Sequence, residues 1–197
     1  MRSRRVALAI VGTLVVATAG PAQAAPLVVV DDPSGDVRIG TATGPSDLQR
    51  RSIDLRQFKV VKGEDSVRFK FRIRRITVSD EFMQALTVNM EDADPESPDV
   101  AGDVTAILQP PRSTTGYVNI EDESGGSGLA CRLSPPLVLK AKSIVKVDVP
   151  LDCIAPGPLR LRVVAATRDR DFTIIYSRDA LRVPGTYDLG GTADQFS

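Results

Sequence analysis

The sequence predicts a single all-β domain behind an N-terminal signal peptide, an antiparallel β-sandwich of jelly-roll or immunoglobulin-like form. Three observations lead there. Apolar residues recur with period two, most plainly at Val67, Phe69, Phe71 and Ile73 against Arg68, Lys70, Arg72 and Arg74. The alternating runs are short and separated by Gly, Pro, Asp and Ser, as the strands of a sandwich are. No window of a dozen residues carries the 3.6-residue apolar stripe of an amphipathic helix.

Residues 1–24 read as an export address. Arg2, Arg4 and Arg5 form a basic start, Val6 to Ala19 an uncharged and largely apolar stretch, and Ala22-Gln23-Ala24 a small-x-small cleavage pattern before Ala25. Fourteen residues are too few for the roughly 20 that cross a bilayer as a helix. The expectation is a secreted, extracellular protein without a transmembrane anchor after processing. Removing the three leader arginines leaves 22 basic against 25 acidic residues, a net charge of about −3. A mildly acidic total offers no electrostatic reason to bind nucleic acid.

Ile53 to Val61 should pair with Val67 to Ile73 through a hairpin at Lys62-Gly63-Glu64-Asp65. Ile53 and Leu55 share one parity while Phe58 and Val60 share the other, which calls for a bulge or register shift near Gln57. Further strands are expected at Ala85–Met90, Val104–Gln109, Tyr117–Ile120, Leu129–Leu133, Ser143–Val149, Leu159–Thr167 and Phe172–Tyr176. Ser79 to Leu86 has room for one helical turn. The β-domain is placed at 25–183 and a flexible tail at 184–197, which holds three glycines and few apolar groups. Two loops stand apart: Glu91 to Asp103, with six carboxylates and two prolines, and Ser124 to Gly128.

Cys131 and Cys153 are the only cysteines, and with an export signal they read as one structural disulfide. There is no CxxC spacing and no histidine to activate a thiolate. The absence of histidine also removes Ser-His-Asp catalysis and His-based metal sites.

The chain opens with Asp32-Pro33-Ser34-Gly35-Asp36, continues with Asp54-Leu55 and the Val67–Ile73 strand, and closes with the cysteine pair and Ser177-Arg178-Asp179-Ala180. Across residues 31–182 these motifs resemble a group of small secreted actinobacterial proteins of unknown function. More distantly, they resemble carbohydrate-binding-family-9 and DOMON-like β-sandwiches. The resemblance implies fold and location and assigns no activity. Family-9-like modules bind sugars on aromatic platforms and often hold calcium, and heme-binding DOMON modules use methionine and histidine ligands. This chain has neither tryptophan nor histidine, so heme ligation and sugar stacking lose their usual residues.

Two constellations remain as candidate sites. Asp31, Asp32 and Asp36 offer hard oxygen ligands around a tight turn, and Asp169 and Asp171, or Asp179 beyond them, can complete a Ca2+ site if the loops meet. The same acids also fit an ordinary Asx-type turn. Arg68, Lys70, Arg72 and Arg74 project from one strand face, with Arg160 and Arg162 on another, a cationic surface suited to an anionic envelope polymer. The same cations also fit a solvated face paired with acids on adjacent strands. The expected function is a secreted, monomeric, non-catalytic binding or cell-envelope accessory protein. The alternative is a carboxylate hydrolase acting on extracellular polysaccharide, using two of the 25 acids as acid and base or nucleophile.

Overall fold

In the computed structural model, which describes residues 25–77, 79–93, 100–109, 113–121 and 127–190, alternation produces strands nearly everywhere. In chain order they are β1 (Val28–Asp31), β2 (Arg38–Ile39), β3 (Leu55–Lys62), β4 (Ser66–Ile73), β5 (Met83–Asp92), β6 (Val100–Gln109) and β7 (Ser113–Glu121). Then follow β8 (Ser127–Arg132), β9 (Leu137–Leu139), β10 (Ile144–Pro150), β11 (Pro158–Arg168), β12 (Ile175–Arg182) and β13 (Tyr187–Asp188). They form a five-stranded sheet in the order β1-β3-β4-β10-β9 and a larger one in the order β2-β12-β11-β5-β6-β7-β8, with β13 also pairing β11. The pairings are antiparallel, and the all-β sandwich expected from the sequence is the architecture observed.

The core lies between the sheets. Phe58, Phe69, Phe71, Val145 and Val147 from the smaller sheet meet Leu86, Val88, Leu161 and Val163 from the larger one, all buried. Phe58 stacks on Phe69 with ring centroids 6.0 Å apart and tilts against Phe71 at 5.4 Å. The parity break in β3 is a real register shift: Leu55 faces Ile73 while Gln57 faces Arg72, so Arg56 is the extra residue. Both halves of β3 can then turn their apolar side chains inward. The Cys131–Cys153 disulfide is formed, with sulfurs 2.08 Å apart. It ties β8, at the edge of the larger sheet, to the turn after β10 in the smaller one.

Three local expectations are corrected. Ser79–Leu86 holds no helical turn; Met83 already begins β5, because its strand partners Arg168 to Leu159 lie alongside. The helical turn lies instead at α1 (Asp47–Arg50), where the Ser46 and Gln49 side chains form a capping box. Phe172–Tyr176 is mostly hairpin turn: Phe172 has φ +61° and β12 starts at Ile175. Of the expected tail, residues 187–190 are tied into the fold, with Leu189 fully buried and Tyr187 paired with Leu159, while residues 184–186 are exposed. Gly190 is needed there, since a Cβ would approach the Ala155 carbonyl oxygen to 2.4 Å. The expected signal peptide, residues 94–99 of the acidic loop and residues 191–197 lie outside the described residues.

Candidate functional site

The turn after β1 carries Asp32-Pro33-Ser34-Gly35-Asp36, and Gly35 allows its tightness with φ +92°. One hydrogen bond fixes this turn against the entry to β3, and a second ties β3 to β12. The Gly35 N–H donates to Asp54 Oδ1 at 3.3 Å, and the Leu55 N–H donates to Asp179 Oδ2 at 2.7 Å. Three motifs far apart in sequence thereby meet where β1, β3 and β12 approach one another.

The result is a carboxylate cluster. One oxygen each from Asp32, Asp36 and Asp179 lies within 4.8 Å of the other two. Asp54 sits beside them, 1% exposed, its Oδ2 held by Arg56 at 2.8 Å. Asp179 is 3% exposed and occupies an inward position of β12 that sequence parity would assign to an apolar residue. Asp32 Oδ2 is enclosed and accepts no hydrogen bond. Burial first, then the charges of Asp179, Asp36 and Asp54, push the Asp32 carboxyl up to about 7 against the opposing pull of Arg56. Burial also raises Asp179, partly offset by its bond from Leu55. Crowded carboxylates of this kind relieve their repulsion by taking up a proton or a hard cation.

Of the acids expected to share a Ca2+ site, the structure brings together Asp32 and Asp36, with Asp179 as their partner. It leaves out three others. Asp31 lies on β1, where its Oδ1 accepts from the Gln57 side chain at 2.6 Å. Asp169 closes the β11–β12 hairpin by accepting from Thr173 Oγ1 and the Ile174 N–H, the Asx-type use of an aspartate. Asp171 is exposed in that same turn. Five residues of extended chain separate Ile174 from Asp179, about 16 Å at strand rise, so the hairpin tip does not reach the cluster.

The cationic face is also rearranged. Arg160 and Arg162 lie on β11 in the larger sheet, while Arg68, Lys70 and Arg72 lie on β4 in the smaller one, so the six do not form one patch. Arg68 is neutralised by Asp148 of β10 through two bonds of 2.6 and 3.0 Å. The neighbouring row is different. Lys59, Lys70 and Lys146 are directly opposite one another across β3, β4 and β10. Arg72, Arg74 and Lys142 line an adjoining open groove. These six form no ion pair among the described residues. Lys70 is lowered from its ordinary value, first by burial and then by the charges of Lys59, Lys146, Arg72 and Lys142. Lys59 and Lys146 were not singled out from sequence. Their signal was the outward parity they share with Lys70, readable only once the strand neighbours are known.

Compared with known proteins, the chain matches no family model and no curated sequence.

Proposed function

We propose that the protein is an exported, non-catalytic binding protein that uses the outer face of its smaller sheet to hold an anionic envelope polymer. One observation carries this reading: Lys59, Lys70 and Lys146 form a row of like charges at directly opposed positions, with no acid between them. Like charges so placed destabilise a sheet, and a polyanion lying across the three strands relieves that repulsion. The disulfide suits an oxidising compartment, and no helix among the described residues is long and apolar enough to cross a membrane. The non-catalytic part of the reading is supported by the structural use of the buried acids, since Asp54 and Asp179 each accept a hydrogen bond from a backbone N–H.

The test is retention on immobilised linear polyphosphate. Wild-type protein is expected to bind at about 50 mM salt and elute by about 300 mM, as screening shortens the reach of exposed charges. Lys59→Gln, Lys70→Gln and Lys146→Gln together should abolish retention. An unretained wild type, salt-independent retention, or an equally retained triple variant overturns the reading. So does binding to anionic lipid vesicles without binding to the polymer.

The carboxylate cluster supports a second reading, a divalent-cation site. The observation that favours it is the enclosed, unpartnered Asp32 Oδ2 beside oxygens of Asp36 and Asp179. Three carboxylates supply part of the six to eight oxygens that Ca2+ takes, leaving positions for solvent or ligand.

A further inference from the structure

A second concentration of cations lies on the other sheet, and the polymer reading does not use it. On the outer face of the larger sheet, Arg162 of β11 is directly opposite Arg182 of β12, and Arg178 of β12 is directly opposite Arg38 of β2. The two pairs stand four residues apart along β12, about 13 Å at strand rise. Between them at the same parity is Ala180, whose methyl group leaves the space open.

The four arginines line one cavity of about 320 Å³, and Asp36 and Asp179 of the carboxylate cluster line it with them. Four guanidiniums against two carboxylates give the lining a formal charge of +2. None of the four arginines makes an ion pair or a side-chain hydrogen bond among the described residues. Asp179 Oδ2 is occupied by the Leu55 N–H rather than by an arginine. The guanidiniums that line the concavity, each with five donor N–H groups, therefore have no protein acceptor among the described residues. Opposed like charges cost stability, and β12 carries that cost in two pairs, one with β11 and one with β2.

We propose that this cavity is a binding site for a tetrahedral oxyanion, a phosphate or sulfate group borne on a small organic body. Guanidinium groups match such an anion by parallel N–H···O bonds, which an ammonium cannot reproduce. The volume falls at the low end of small-molecule sites, enough for the oxyanion and about one sugar ring. The site is distinct from the lysine row, which lies on the outer face of the opposite sheet.

The experiment is calorimetric titration of the full mature chain with inorganic phosphate, inorganic sulfate and a hexose monophosphate. Ionic strength is held constant with chloride, and free hexose is the control. Saturable binding near one equivalent is expected. The phosphate and sulfate arms decide which oxyanion is preferred, and the hexose monophosphate should bind more tightly than the bare anion. Arg178→Gln with Arg182→Gln should weaken binding at least about tenfold, the loss of a single charge-assisted hydrogen bond. The lysine-to-glutamine triple variant of the smaller sheet should bind these small anions as the wild type does, which separates this site from the polymer face. Arg178→Lys with Arg182→Lys keeps the charge and removes the paired geometry, so it too should bind weakly. Absence of saturable binding, equal binding by the glutamine variant, or full retention by the lysine variant overturns the proposal.

Discussion

Replacing Asp32 by asparagine probes the electrostatics of the cluster directly. The Asp32 carboxyl is raised from 3.8 to about 7, first by burial and then by Asp179, Asp36 and Asp54, with Arg56 opposing. In the unfolded chain it titrates near its ordinary value. Between those two values the folded protein therefore holds the proton more tightly than the unfolded chain does. Stability from this group is fully present below about pH 4 and is lost as the pH rises through about 7. For a completely enclosed group the displacement is worth about 4 kcal/mol. Asp32 keeps partial solvent contact, and screening reduces the expected effect to about 1–2 kcal/mol.

Asparagine keeps the shape of the side chain, carries no charge, and presents an amide N–H₂ that can donate to the oxygens of Asp36 or Asp179. The stability advantage of Asp32→Asn over the wild type should therefore widen steadily as the pH rises from about 4 to about 7, and be about 1–2 kcal/mol larger at pH 8 than at pH 4. The assay is urea unfolding of both proteins at half-unit intervals from pH 4 to 8.5, with chelator present throughout and m-values compared. Asp179 is raised as well and contributes to the slope of both proteins in the same direction, so only the difference between the two curves is diagnostic. Parallel curves across the whole range would refute the argument that Asp32 is held neutral by burial and by its acidic neighbours.

Three further outcomes are expected. Calcium at about 10 mM should stabilise the wild type by roughly 1.4–2.7 kcal/mol if it binds at about 0.1–1 mM, as extracellular sites of this type do. Identical melting midpoints in calcium and in chelator, or an equal calcium response from Asp32→Asn, would refute the cation reading. Reducing the Cys131–Cys153 bridge should destabilise the fold by about 3 kcal/mol, and the unreduced protein should show an intact mass about two daltons below that of the dithiol; free alkylation of both thiols without reductant would contradict the bridge. Leu189→Ala should cost about 2–5 kcal/mol, as truncation of a buried leucine does, whereas a change within about 0.5 kcal/mol would mean that residues 187–190 hang free after all.

Much of the fold was legible because strand parity is a local property. Val67, Phe69, Phe71 and Ile73 announce β4 by their spacing, and the phase conflict between Leu55 and Phe58 announces the shift at Arg56. Short or mixed pieces were not legible. β2 has two residues and β13 has two, too few for a period, and their pairing depends on β12 and β11 being in place to receive them. Leu189 shows the same effect: in a glycine-rich context it reads as tail, yet it is fully buried in the finished core.

The candidate sites were legible to the extent that each side chain's parity was known, and no further, because parity says which face a residue takes but not which strand lies beside it. Arg160 and Arg162 alternate as cleanly as Arg68 and Lys70, yet belong to the opposite sheet. Lys59 and Lys146 flank Lys70 only because the sheet order places β3 and β10 on either side of β4. The acids obey the same rule with one addition. Asp31, Asp169 and Asp171 were attractive for their density in sequence, but density in a turn is most often used within the turn, as the Asp169 bonds to Thr173 and Ile174 show. The stronger signal was a carboxylate in the wrong place. Asp179 falls at an inward position of β12 between Ser177 and Leu181, where an acid is costly to bury unless something receives it. The Leu55 N–H donates to one of its oxygens, and the remaining charge is left facing Asp32 and Asp36. An inward acid at a strand position is thus a better pointer to a built site in this fold than a run of exposed ones.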